Sequence, residues 1–164
     1  MRNTGALKVS TPSEREIAMT RVFDAPRAQV FDAWTRPEVL KRWLGPRDWP
    51  LVVCEIDLRA GGAYRFVARG ADGTEMGWGG VYREIVPPER VVHSEAFDQD
   101  WTGGETLVTV VLDEQAGRTT MTSTVLYSSR EARDAVLRSP MEHGVAESCD
   151  RLAELLASPP ARGG

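Results

Sequence analysis

Ligands for a metal are scarce in this chain: two cysteines and two histidines in 164 residues. Cys54 and Cys149 lie far apart with no histidine at metal spacing, so neither a zinc site nor a disulfide framework is expected. Both fall on apolar faces and read as small buried residues. Basic excess is missing too. The formal net charge is −4 and the Lys and Arg residues are scattered among acids, which argues against a nucleic-acid partner. No apolar run approaches the ~18 residues of a membrane span, and the opening MRNTGALKVSTPSE lacks the apolar stretch of a secretion signal. A cytoplasmic location is the expectation. Catalytic signatures are equally thin. There is no G-x-S-x-G elbow with ordered partners, and neither GADG nor GWGG both follows a strand and opens a helix, as a phosphate loop would.

What is present is an ordinary globular composition, long enough for one domain that buries roughly 68–70% of its unfolded surface. Residues 1–14 and 158–164 read as flexible ends, with one domain over 15–157. REIAMTRVF has strand character. Asp24 then serves as a cap, with Pro26 in the first turn and Val30, Phe31 and Trp34 following at helical spacing. Thr35-Arg36-Pro37 breaks that helix, and PEVLKRWL gives a second short one before Gly45-Pro46. In LVVCEIDL the period changes to two: Val52, Cys54, Ile56 and Leu58 alternate with Val53, Glu55 and Asp57. AYRFVAR places Tyr64 and Phe66 opposite Arg65 and Arg69. TEMGWGGVYREI, RVVHSEAF, ETLVTVVLDE and RTTMTSTVLY complete the strands, the last two joined by a QAG turn. Gly77, Gly79 and Gly80 suit curvature or a bulge. Ser128 with Glu131, and Ser139 with Pro140 and Glu142, mark two helix starts by the S-x-x-E pattern. Sequential strands with short turns imply an antiparallel meander. Its apolar face must be covered by the long terminal helix.

That helix, SPMEHGVAESCDRLAELL, carries an anomaly. At about 100° per residue, Met141, Val145, Ser148, Cys149, Leu152, Leu155 and Leu156 share one side. His143, Glu147, Asp150, Arg151 and Glu154 share the other, with Glu147 and Arg151 as an i, i+4 surface pair. Ser148 sits in the middle of the apolar stripe and Gly144 on its flank, although a mid-helix glycine costs roughly 1 kcal/mol against alanine. Either these small residues admit a close-packed aromatic or they leave a cavity open.

The element order, together with RVFDAPRAQVFDAWTRPEVLKRWLGP (21–46), GWGGVYREIVPPERVV (77–92), TTMTSTVLYSSREARDAV (119–136) and MEHGVAESCDRLAELL (141–156), resembles the START-like (SRPBCC) superfamily. Within it, the similarity is to the branch named for activators of the heat-shock-protein ATPase. The resemblance implies an α+β helix-grip fold: a curved antiparallel sheet of six or seven strands around a long C-terminal helix, with two short helices after the first strand. It also implies that the terminal helix closes a cavity against the concave sheet. Members of the superfamily range from lipid carriers to cyclases, and the fold does not settle the activity.

Three functions are compatible with these residues. The favoured one is a carrier or sensor, not an enzyme, for a hydrophobic or amphipathic small molecule. Trp34, Trp43, Tyr64, Phe66, Trp78, Phe97, Met121, Tyr127, Met141 and Gly144 would supply the wall, and Ser148, His93 and Glu95 polar contacts. His93 and Glu95 lie two apart on one strand and share a face; burial would raise the Glu pKa and a protonated His would lower it. The second is a chaperone-binding module, implied by the resemblance alone, with an exposed patch of Trp43, Trp49 and Trp101. The third is a cyclase or isomerase using His93 and Glu95 for proton transfer. No cofactor is expected, and a homodimer through a sheet edge is compatible with the pattern.

Overall fold

The computed structural model describes residues 6–45 and 47–157, so the expected flexible tail over 158–164 lies outside the described residues. Eight strands and four helices follow one another: β1 (Lys8–Ser10), β2 (Glu16–Phe23), α1 (Arg27–Thr35), α2 (Pro37–Leu40), β3 (Leu51–Ile56), β4 (Ala63–Arg69), β5 (Glu75–Val86), β6 (Arg90–Phe97), β7 (Thr106–Gln115), β8 (Arg118–Leu126), α3 (Arg130–Leu137) and α4 (Met141–Ala157). All neighbouring strands are antiparallel, in the order β1-β2-β8-β7-β6-β5-β4-β3. The strand count exceeds the six or seven expected. Part of the excess is β1, which the expectation of a frayed lead over 1–14 did not include; its three residues pair with Ala18–Thr20.

Local chemistry explains the boundaries. Arg36 precedes a proline and is extended (φ −100°, ψ 118°), which separates α1 from α2. Asp24 does not cap α1. The first N–H of the helix, at Arg27, is met instead by Glu114 Oε1 of β7 at 2.9 Å. The hairpin between β7 and β8 turns on Ala116 and Gly117, both at positive φ (54° and 77°), the geometry that suits the twist of the flanking strands. Helix α3 is capped by Ser129, whose Oγ accepts from Ala132 N–H, one residue later than the pattern suggested; Ser128 Oγ donates to the Gly103 carbonyl. At α4, Ser139 Oγ accepts from Met141 N–H at 3.2 Å.

In β3 the expected face is shifted. A register irregularity between Leu51 and Val53 turns Val52 outward, and Leu58 falls beyond the strand; both are exposed. Leu51 packs on the core in place of Val52, while Cys54 and Ile56 face it as expected. The short β1 and the irregular β3 form the two sheet edges, which leaves little unbroken ladder for pairing with another copy.

The concave face of the sheet meets α1, α2 and α4. On β2, Ile17, Met19 and Phe23 alternate inward, and so does Arg21, which is 4% exposed. Its Nη1 donates to Asp150 Oδ1 of α4 at 2.9 Å, tying the helix to the sheet. Arg151 donates to the carbonyls of Gly45 and Arg42, and Glu147 faces Arg47 at 4.0 Å, so the expected Glu147–Arg151 pair gives way to anchoring of the loop after α2.

Candidate ligand cavity

Helix α4 is solidly packed at one end only. Leu152 is fully buried in the core. Along the preceding turns, Met141, Gly144, Val145, Ser148 and Cys149 face a cavity of about 480 Å³, within the ~300–1,000 Å³ range of small-molecule sites. The sheet provides its floor, α1 and the loop after α2 its sides. Trp101, Met76 and Arg90 both border it and reach solvent, and so mark its rim. All thirteen candidate residues border this one space.

Most of the floor is aromatic. Trp101, Phe97, Trp78 and Phe66 follow one another with ring centroids 5.2, 5.5 and 5.8 Å apart. Phe66 then contacts Tyr64 at 5.0 Å, and Tyr64 contacts Tyr82 at 5.4 Å. On the helical side Trp34 and Trp43 meet edge to face at 5.1 Å, and Trp43 donates to the Ala33 carbonyl at 2.9 Å. Trp34 Nε1 lies 3.0 Å from Met121 Sδ. The patch of exposed tryptophans anticipated near Gly45 does not form: Trp43 is 1% exposed, Trp49 half-buried, and Trp101 alone exposed.

A polar node lies in this floor, built by an exchange of hydrogen bonds. Val81 N–H donates to Ser94 Oγ at 3.0 Å rather than to a ladder carbonyl. The Ser94 carbonyl instead accepts from Tyr64 O–H at 2.7 Å and lies 3.0 Å from His93 Nδ1. A carbonyl accepts only, so the proton of the neutral imidazole is assigned to Nδ1, leaving Nε2 as an acceptor. Burial holds the His93 pKa below its ordinary value, against the pull of the Ser94 carbonyl. Gly80 is required here because a Cβ would run into the Ser94 carbonyl oxygen. The bulge expected in this glycine-rich strand falls further on, between Tyr82 and Glu84.

Glu95 stands beside that node. It retains some accessible area, but it borders the cavity and its carboxyl is desolvated. Burial pushes its pKa up to about 7. The sequence-based concern that a protonated His93 would oppose this shift is reduced, because burial favours the neutral ring of His93. Among the described residues no side chain bonds or pairs with the Glu95 carboxyl. Register explains its accessibility. Tyr64 pairs with Gly80, Gly80 stands opposite Glu95, Glu95 pairs with Thr106, and Tyr127 lies one residue past the Leu107–Leu126 pair. A carboxyl is thus flanked by a glycine and a threonine, with phenols two strands away on each side at ~4.8 Å per strand. Burial and the Glu95 charge both raise the pKa values of Tyr64 and Tyr127.

Ser148 is buried in the cavity wall, but its oxygen accepts from Gly45 N–H at 2.9 Å, so it fastens the loop after α2 to α4. Neither cysteine is activated, as burial pushes both thiols to about 11. Tyr82, Thr106 and Phe31 also line the cavity and were not singled out from the sequence. Tyr82 could have been found from its inward parity with Trp78 and Gly80.

A curved sheet gripping one long helix over an aromatic-walled cavity is the helix-grip architecture of the START-like proteins. The model of the family described as Activator of Hsp90 ATPase homolog 1-like protein matches residues 24–157, and the chain belongs to that family. A crystal structure of a Rhodobacter sphaeroides protein is similar at 36% identity, with a TM-score of 0.89, over 93% of this chain and 99% of that one. A solution structure of an Arthrobacter aurescens protein is 26% identical, with a TM-score of 0.84, over 95% of this chain and 94% of that one. A Chromobacterium violaceum protein is 28% identical, with a TM-score of 0.73, over 88% and 99%. No curated protein matches the sequence. Among the described residues, no helix is long and apolar enough to cross a membrane.

Proposed function

We propose that this protein is a carrier or sensor that binds a hydrophobic or amphipathic small molecule in the cavity between the sheet and the first turns of α4, acting in the cytoplasm. The observation that supports the reading is the cavity itself, whose wall is mainly aromatic and aliphatic with a few polar groups at one place. Affinity comes from apolar burial at roughly 25 cal/mol per Å², and orientation from His93, Glu95 and Tyr127. Gly144 is the point at which to test it, because it borders the cavity on the inner face of α4. Gly144→Leu is expected to fill the space and weaken binding of an alkyl probe at least tenfold by native mass spectrometry. Unchanged binding would place the site elsewhere.

Family membership favours a second reading, docking on a chaperone ATPase. The two readings separate in one assay. Stimulation of the chaperone's ATP hydrolysis that survives Gly144→Leu would favour a surface interaction over the cavity.

A further inference from the structure

The cavity holds an acid with no interior cation to answer it. Glu95 and Arg90 are the bordering residues with an ordinary full charge, and they differ in setting. Arg90 is exposed at the rim and donates to Glu84 Oε1 at 2.7 Å. Glu95 lies in the floor: its carbonyl accepts from Thr106 Oγ1 at 3.3 Å, but among the described residues its carboxyl has no ion-pair or side-chain hydrogen-bond partner. A ligand with a carboxylate or phosphate head would meet a like charge there and no interior cation.

We propose that the ligand of this cavity is an amphipathic amine, whose protonated nitrogen pairs with the Glu95 carboxylate while its apolar body lies along the aromatic floor. This rests on the cavity reading given above and narrows it to one chemical class. Three further features support it. Gly80 and Thr106 flank Glu95 on the neighbouring strands, so a head group can approach the carboxyl from the cavity side. The aromatic floor runs beside Glu95, with Phe97 two residues on and Tyr82 opposite His93, and its rings attract a cation through their quadrupoles. His93, with its Nδ1 proton engaged, presents an acceptor at Nε2, which also suits an N–H donor.

Binding then depends on pH through the Glu95 carboxyl. Facing it are His93 on β6, Tyr64 on β4, Tyr82 on β5, Tyr127 after β8, Cys149 on α4 and Arg90 at the rim. Burial lowers the His93 pKa and so favours its neutral ring. It also keeps the three phenols and the thiol protonated well above neutrality. With Glu95 titrating at about 7, the ionised fraction rises from about 3% at pH 5.5 to about 90% at pH 8, a gain of about thirtyfold in competent protein.

Decylamine, decanol and decanoate, kept below micellar concentrations, test this on the full chain. Dissociation constants are read from quenching of the cavity tryptophans and checked by native mass spectrometry, at pH 5.5 and pH 8. At pH 8 decylamine is expected to bind at least tenfold tighter than decanol and decanoate weakest, with decylamine affinity rising about thirtyfold from the lower pH. Glu95→Gln should keep decanol binding and lose both the amine preference and its pH dependence; Glu95→Asp should retain part of each. Decylamine binding no tighter than decanol at pH 8, or a preference that survives Glu95→Gln, overturns the amine assignment and leaves the cavity reading standing. Failure of all three probes to bind overturns the cavity reading itself.

Discussion

Glu95 shows how one side chain couples function to stability. Its folded-state pKa of about 7 lies above the ordinary 4.5, so the folded protein holds a proton that the unfolded chain releases between those values. A group that binds its proton more tightly in the folded state stabilises most below the lower value, and that contribution is lost as pH rises to the upper one. Glu95→Gln removes the ionisation and keeps the shape. The variant is expected to be more stable than wild type by roughly 1–3 kcal/mol at pH 8 and close to it at pH 5. Urea titrations at the two pH values measure the difference. An equal effect at both would mean that the carboxyl is not desolvated. The sequence could place His93 and Glu95 on one face, because strand parity requires it. It could not show that Ser94 gives its hydroxyl to Val81 and its carbonyl to Tyr64 and His93, since that exchange depends on the approach of β5 at Gly80.

At the scale of elements, α4 is two helices in function. The turns from Met141 to Cys149 border the cavity, whereas Leu152 is fully enclosed. Leu152→Ala is therefore expected to cost about 2–5 kcal/mol, as truncations in a solid core do. Met141→Ala, at a side chain only partly buried, should cost less than Leu152→Ala. Chemical denaturation of both variants checks the contrast, and equal losses would show the two ends to be packed alike. The amphipathic period made the helix and its inner face legible, including the small residues at 144 and 148. The period did not reveal that Ser148 is spent on Gly45, because that contact joins residues 103 apart in sequence. Boundaries failed where two polar residues compete for one role. Ser129 rather than Ser128 caps α3, and Glu114 from β7 takes the place expected of Asp24. In β3 one irregular residue turned Val52 outward while Cys54 kept its inner face, which strict alternation does not foresee.

For the whole molecule, a cavity of about 480 Å³ is core that the chain leaves unfilled. An apolar space of this kind lowers stability because its lining loses packing contacts. A ligand that enters it returns those contacts, and by mass action it raises folding stability by about 2.7 kcal/mol at one hundred times its dissociation constant. For a domain of this length each kcal/mol raises the melting temperature by roughly 2–4 °C. A saturating ligand is therefore expected to lift the melting temperature by about 5–11 °C. Gly144→Leu narrows the space and weakens binding, so its melting temperature should rise less than that of wild type at the same ligand concentration. Differential scanning calorimetry over a ligand series distinguishes the cases. If wild type and Gly144→Leu shift equally, the stabilisation arises from binding outside the space between sheet and helix. If wild type shifts further, and its shift grows logarithmically with ligand above the dissociation constant, the unfilled core is the binding site and its cost in packing is offset only when it is occupied.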